Sequence, residues 1–121
     1  MVLIFKIFLI AFCINLLYEL AHSWLYETCQ KASWKKYAYL MFKGALFDGA
    51  MITLVYYLAN GNIVIFVLLA LVFAYAWEFV AVKNKRWEYS VQMPLVLGVG
   101  ITPLIQLALT GIIAIYISFA F

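Results

Sequence analysis

Four residues able to move a proton or hold a polar ligand recur along the first apolar run of the chain: Asn15, Glu19, His22 and Tyr26. Their i, i+4, i+7, i+11 spacing puts them within about 60° of one another on a helix turning roughly 100° per residue. Glu19 with His22, the single histidine, supplies a carboxyl group and a partner base. Burial favours the protonated form of a carboxyl, which can then hold and donate a proton near neutral pH. Later apolar runs add Asp48 beside Gly44, Ala45 and Gly49, and Glu78 on a face with Ala70, Ala74 and Ala81. The last run offers Gly98, Thr102, Gln106 and Thr110 at steps of four. Small residues beside polar ones let helices approach closely in lipid, so these stripes are expected to face each other. Glu19, His22, Asp48 and Glu78 are the candidate catalytic residues; Asn15, Tyr26, Thr102 and Gln106 are the candidate lining of one pocket.

The elements that must position them follow from composition. The chain is 69% hydrophobic with a mean hydropathy of +1.08 and only 11% charged residues, against about 25% charged in soluble domains. At 121 residues it is too small to hide that much apolar surface from water. Crossing a bilayer takes about 20 helical residues, and four runs suffice: roughly 2–26, 37–59, 63–82 and 93–119. They are separated by Lys31, Lys35 and Lys36, by Asn60-Gly61-Asn62, and by Lys83, Lys85 and Arg86. The fold expected is an all-α membrane protein: one domain over 1–121, a bundle of four transmembrane helices. The first run lacks a small-residue cleavage site and reads as a retained span. Pro94 suits the first turn of the fourth helix, and Pro103 after Gly98 and Gly100 is expected to kink it.

Orientation follows from the basic residues, six of the eight being in the first and third breaks. Those breaks are expected to be cytoplasmic, with both termini on the non-cytoplasmic side of a bacterial or archaeal plasma membrane. Trp24, Trp34, Trp77 and Trp87 fall at the same boundary as an aromatic belt. At about 1.5 Å rise per residue, Glu78 and His22 lie about 7 Å in from that side, Glu19 and Thr102 about 12–14 Å, and Asp48 about 15 Å. Overlapping depths on four helices point to one polar pocket in the cytoplasmic half.

Packing alone offers competing accounts of these residues. Asp48 can pair with His22 or a hydroxyl, Glu19 and His22 can satisfy each other, and Glu78 can pair with Lys83 or Arg86. Glu19-x-x-His22 is half of a di-iron carboxylate motif, but such sites need two histidines and only a homodimer supplies the second. No metal and no cofactor are expected. The basic residues flank spans, which excludes nucleic acid as the partner and leaves the bilayer, a lipophilic ligand, and a second copy or another membrane protein. Cys13, inside a span, reads as apolar filler, and the two cysteines do not suggest a disulfide. The functions compatible with this pattern are acid–base chemistry of isomerase or cyclase type on a lipophilic substrate, proton or cation transport, and a non-catalytic membrane subunit or scaffold.

Glu19-x-x-His22, Trp87-x-Tyr89-Ser90-x-x-Met93-Pro94 and Thr102-Pro103-Leu104-x-Gln106 together resemble a family of small, uncharacterised four-helix bacterial integral membrane proteins. That resemblance covers most of the chain and implies the four-span fold, without an activity. More faintly, Trp87-x-Tyr89, the glycines and Pro103-Leu104 are similar to the small lycopene cyclase subunits of carotenoid synthesis, over about a quarter of the chain. That similarity implies protonation of a polyene; the family's acidic pair after the proline is replaced here by Ile105 and Gln106.

Overall fold

The computed structural model describes residues 2–121. Helix α1 spans Val2–His22 and leads through a 3-10 turn, Ser23–Leu25, into the one-turn helix α2, Glu27–Gln30. Helix α3 runs Trp34–Leu58 and α4 runs Ile63–Lys83; a two-stranded hairpin, β1 (Leu95–Val96) and β2 (Val99–Gly100), precedes α5, Ile101–Ala120. Among the described residues, four helices are long and apolar enough to cross a membrane: α1 with its 3-10 extension, α3, α4 and α5.

Helix ends sit where local chemistry puts them. The Ser33 hydroxyl accepts from the Lys36 amide at the start of α3, and Asn62 Oδ1 accepts from the Ile65 amide at the start of α4, each relieving an amide with no helical partner. Between them Asn60 and Gly61 adopt positive φ of 53° and 77°, which ends α3 in a tight reversal.

The fourth long helix starts at Ile101 rather than near 93. Pro94 interrupts the apolar run, and Leu97 and Gly98 both take positive φ, 50° and 82°, as the centre of a two-residue hairpin turn requires. The Ile101 amide closes the hairpin base on the Pro94 carbonyl at 2.8 Å. Pro103 therefore occupies the first turn of α5, where its missing N–H costs nothing, and α5 runs unbroken instead of kinking at Pro103.

Helix α1 packs chiefly against α3 and α5, and α4 packs against α5. The small faces expected from sequence make these seams. A Cβ on Gly49 would stand 3.2 Å from the Phe12 backbone nitrogen, and the Phe66 ring fills the space where a Cβ on Gly111 would lie. Ile7, Ala11, Ile52, Val55, Phe66, Ala70, Ala114 and Ile115 form the buried centre. Helices α3 and α4 touch little despite the tight turn joining them, so they splay from it like the arms of a V. Exchanging Gly49 for valine is expected to force α1 from α3 and cost about 1–3 kcal/mol. Denaturation of the purified protein in mild detergent measures this, with valine at the neighbouring exposed Ala50 as the neutral control.

The first and third breaks meet at one end of the bundle. The Glu27 amide donates to the Glu88 carbonyl at 2.9 Å, the Ser90 amide to the Leu25 carbonyl at 2.8 Å, and the Glu88 amide to Thr28 Oγ1 at 2.8 Å. Tyr26 and Tyr89 form an antiparallel bridge there. The two basic breaks thus share one end of the bundle.

Candidate functional site

The V between α3 and α4 encloses a cavity of about 520 Å³. Its back is Pro103, Gln106 and Leu107 of α5; one wall is α3 from Leu40 to Met51; the other is Ala74, Trp77 and Glu78 of α4. Glu19 enters from α1, and Tyr26, Cys29 and Trp87 line the end where the basic breaks meet.

Gln106 is the hub of the polar wall. Its Nε2 lies 2.8 Å from Asp48 Oδ2, 2.9 Å from Glu19 Oε1 and 3.0 Å from Asn15 Oδ1, so three residues on two other helices converge on one nitrogen. The Glu19 and Asp48 carboxyls are also within hydrogen-bonding reach of each other. Asn15 is fully buried; it donates to the Ala11 carbonyl at 2.8 Å and accepts from Thr110 Oγ1 at 3.2 Å.

His22, at the last turn of α1, is held from both sides. Nδ1 is 2.9 Å from Thr102 Oγ1, and Nε2 is 3.3 Å from Glu19 Oε2. Thr102 donates to the Met93 sulfur at 3.4 Å, so its oxygen is left to accept from Nδ1–H. Nε2 is then the ring nitrogen that faces Glu19. Tyr18, between Asn15 and His22 in sequence, donates to the Thr102 carbonyl at 2.6 Å and packs its ring 4.8 Å from the imidazole.

Glu78 belongs to a second cluster on the same cavity. Tyr26 and Tyr89 hydroxyls donate to its Oε1 at 2.8 Å each, and the Trp87 indole at 2.9 Å. The Tyr89 oxygen also accepts from the Gly100 amide at 3.0 Å, tying the hairpin to the site. Burial pushes the Tyr89 phenol above its ordinary pKa, so it stays protonated as a donor. The pairing of Glu78 with Lys83 or Arg86 weighed from sequence does not form. Arg86 lies instead over the Trp77 ring, 5.4 Å from its centroid.

All eight candidate residues therefore fall into these two clusters. Asn15, Glu19, His22, Asp48, Thr102 and Gln106 make one; Tyr26 and Glu78 belong to the other. Trp87, Tyr89 and Tyr18 were not among the candidates. The i, i+2 spacing of Trp87 and Tyr89 is the signal that finds them, because an extended segment sends alternate residues to one side.

Both cysteines are free; Cys13 is exposed and Cys29 is half-buried at the cavity. Burial pushes the Cys29 thiol up to about 11 from 9.0. The thiolate is the form that reacts, so Cys29 is expected to alkylate about a hundredfold more slowly at pH 8 than an ordinary cysteine. Its rate should rise about tenfold per pH unit until the thiol titrates. Maleimide labelling of a Cys13→Ala background measures this; a rate flat between pH 7 and 9 contradicts it.

Four helices long and apolar enough to cross a membrane, packed around a largely apolar cavity with one polar wall, make a helical bundle of multi-pass membrane type. No protein-family model, curated protein or solved structure matches the chain.

Proposed function

We propose that the chain crosses a bacterial or archaeal plasma membrane four times, with both termini on the non-cytoplasmic side. In this reading it performs acid–base chemistry of isomerase or cyclase type on a lipophilic ligand held between α3 and α4. The observation that carries the reading is the meeting of Glu19 and Asp48 on the Gln106 amide at the wall of a ligand-sized cavity. Sites for small molecules are commonly about 300–1,000 Å³, and this one is within that range.

The hydrogen count gives the chemistry. The Gln106 amide has two hydrogens for three acceptor oxygens, two of them on carboxyls, and Nε2 of His22 also faces a Glu19 oxygen. A proton shared along His22, Glu19 and Asp48 reconciles all of these contacts. Two carboxyl groups that share a site do not both ionise readily, so the pair can present an acid to the cavity. Glu19 or Asp48 acts as that acid, His22 as the partner base and Glu78 as an electrostatic stabiliser.

The orientation rests on the basic residues of the two breaks that share one end of the bundle. Transport is disfavoured by the other end. Beyond Asn15 and Thr110 lies the apolar centre around Ile7, Ile52, Val55 and Phe66, and the buried Ser118 hydroxyl further on is bonded to the Ala114 carbonyl, so no continuous polar path runs through the described residues.

The test is mass spectrometry of lipophiles that copurify with the protein. The natural chain is expected to retain one, and Ala74→Phe, which fills the cavity, to lose it. Asp48→Asn is expected to keep the ligand while its unconverted form accumulates in cell lipid extracts. Identical extracts from both strains and no bound lipophile would end the reading.

A further inference from the structure

Two cations line the cavity, Lys43 from α3 and Arg86 from the segment after α4. They come from the two arms of the V. Neither pairs with a carboxylate among the described residues, where Lys31 is the one lysine or arginine that does, with Glu27 at 2.7 Å. Each leans on an aromatic ring instead: Lys43 over Tyr39 at 5.6 Å and Arg86 over Trp77 at 5.4 Å. Trp77 in turn stacks on Phe47 across the gap between the arms, ring centroids 4.7 Å apart. The cavity is thus bridged by an aromatic pair flanked by uncommitted positive charge.

Charge along the cavity is sorted by position. Asp48 lies more than a turn beyond Lys43 on α3, and Glu78 lies within α4 while Arg86 follows that helix's end at Lys83. By backbone position the acidic groups are thus deeper, and the basic groups nearer the mouth at the end where the two breaks meet. An anionic group is attracted at the mouth and repelled deeper in, while the largely apolar walls between Leu40, Met51, Ala74 and Leu107 suit a hydrocarbon chain. Basic residues beside a span also attract any anionic lipid surface, but two of them lining one cavity from opposite walls make a more specific arrangement.

We propose that the ligand is an amphiphile with an anionic headgroup of the phosphate-monoester kind. Lys43 and Arg86 hold the head at the mouth, and the chain passes the Phe47–Trp77 pair to reach Glu19 and Asp48. This rests on the cavity being the ligand site, and it adds the ligand's class and direction of entry. The head fixes which end of the molecule stays outside, so a chain carbon, not the phosphate, meets the carboxyls.

The experiment uses the whole protein in neutral phosphatidylcholine nanodiscs, reading protection of Cys29 from maleimide in a Cys13→Ala background. Dodecyl phosphate is expected to protect at roughly one tenth the concentration that dodecanol needs. The double variant Lys43→Ala/Arg86→Ala should bring dodecyl phosphate to the level of dodecanol. Lys43→Arg/Arg86→Lys should keep the preference, and Lys35→Ala/Lys36→Ala should leave it unchanged. Equal protection by phosphate and alcohol in the natural chain, or an undiminished preference in the alanine pair, overturns the headgroup assignment. If that occurs while Ala74→Phe still abolishes protection, the cavity reading stands and only the headgroup fails. Failure of every amphiphile to protect overturns both. Protection by inorganic phosphate alone assigns the cations to a free anion and overturns the amphiphile.

Discussion

Gln106→Leu is expected to lower the stability of the bundle by about 2–4 kcal/mol, at about 0.6–1.7 kcal/mol for each interhelical hydrogen bond lost in a membrane protein. The amide reaches Asn15, Glu19 and Asp48 at 2.8–3.0 Å, and leucine fills its space without a donor. Two part-buried carboxyls lose this donor and the buried Asn15 oxygen keeps only Thr110, and a polar group left unsatisfied inside the fold costs more than the bond it once made. The effect should depend on charge. In an Asp48→Asn background position 48 brings its own N–H donors, so Gln106→Leu should cost distinctly less there. Unfolding of the four proteins in one detergent gives the coupling as a double-mutant cycle. Additive costs would show that Gln106 acts by shape alone.

The second large effect is expected at Glu78, through a loop and not the bundle core. Its Oε1 receives Tyr26, Trp87 and Tyr89 together, and Tyr89 passes the link to Gly100. Glu78→Ala removes the common acceptor and should free residues 86–100 from the cavity, at a cost of about 2–3 kcal/mol for three contacts of ordinary size. Glu78→Gln keeps a carbonyl oxygen for two of the three donors and should cost less. Amide hydrogen exchange is the decisive measurement. Faster exchange over 86–100 with α1 and α3 unchanged is the expected pattern, and an unchanged loop would contradict it.

Much of this site was legible because the helical period is a strong constraint. Asn15, Glu19 and His22 could be placed on one stripe from spacing alone, and the small residues around Asp48 and Glu78 identified the faces that pack. Gln106 was undervalued for a physical reason. A side-chain amide is as common between helices as in a site, and its central role lies in three distances that no single helix dictates. The hairpin was misread because hydropathy does not distinguish an apolar turn from an apolar helix. Pro94, Gly98 and Gly100 within seven residues were the better guide, as each opposes helix continuation. The division into two clusters was hidden for a similar reason: Trp87 and Tyr89 come from the third break, and α1 ends at His22, so Tyr26 lies past the helix on whose stripe its spacing had placed it.

The position of Gln106 in the last helix bears on how the protein is made. As the ribosome delivers the chain, α1 and α3, with Glu19 and Asp48, are made before the residue that completes their bonding exists. A chain halted before α5 therefore carries Glu19 and Asp48 without the one amide that bonds both of them.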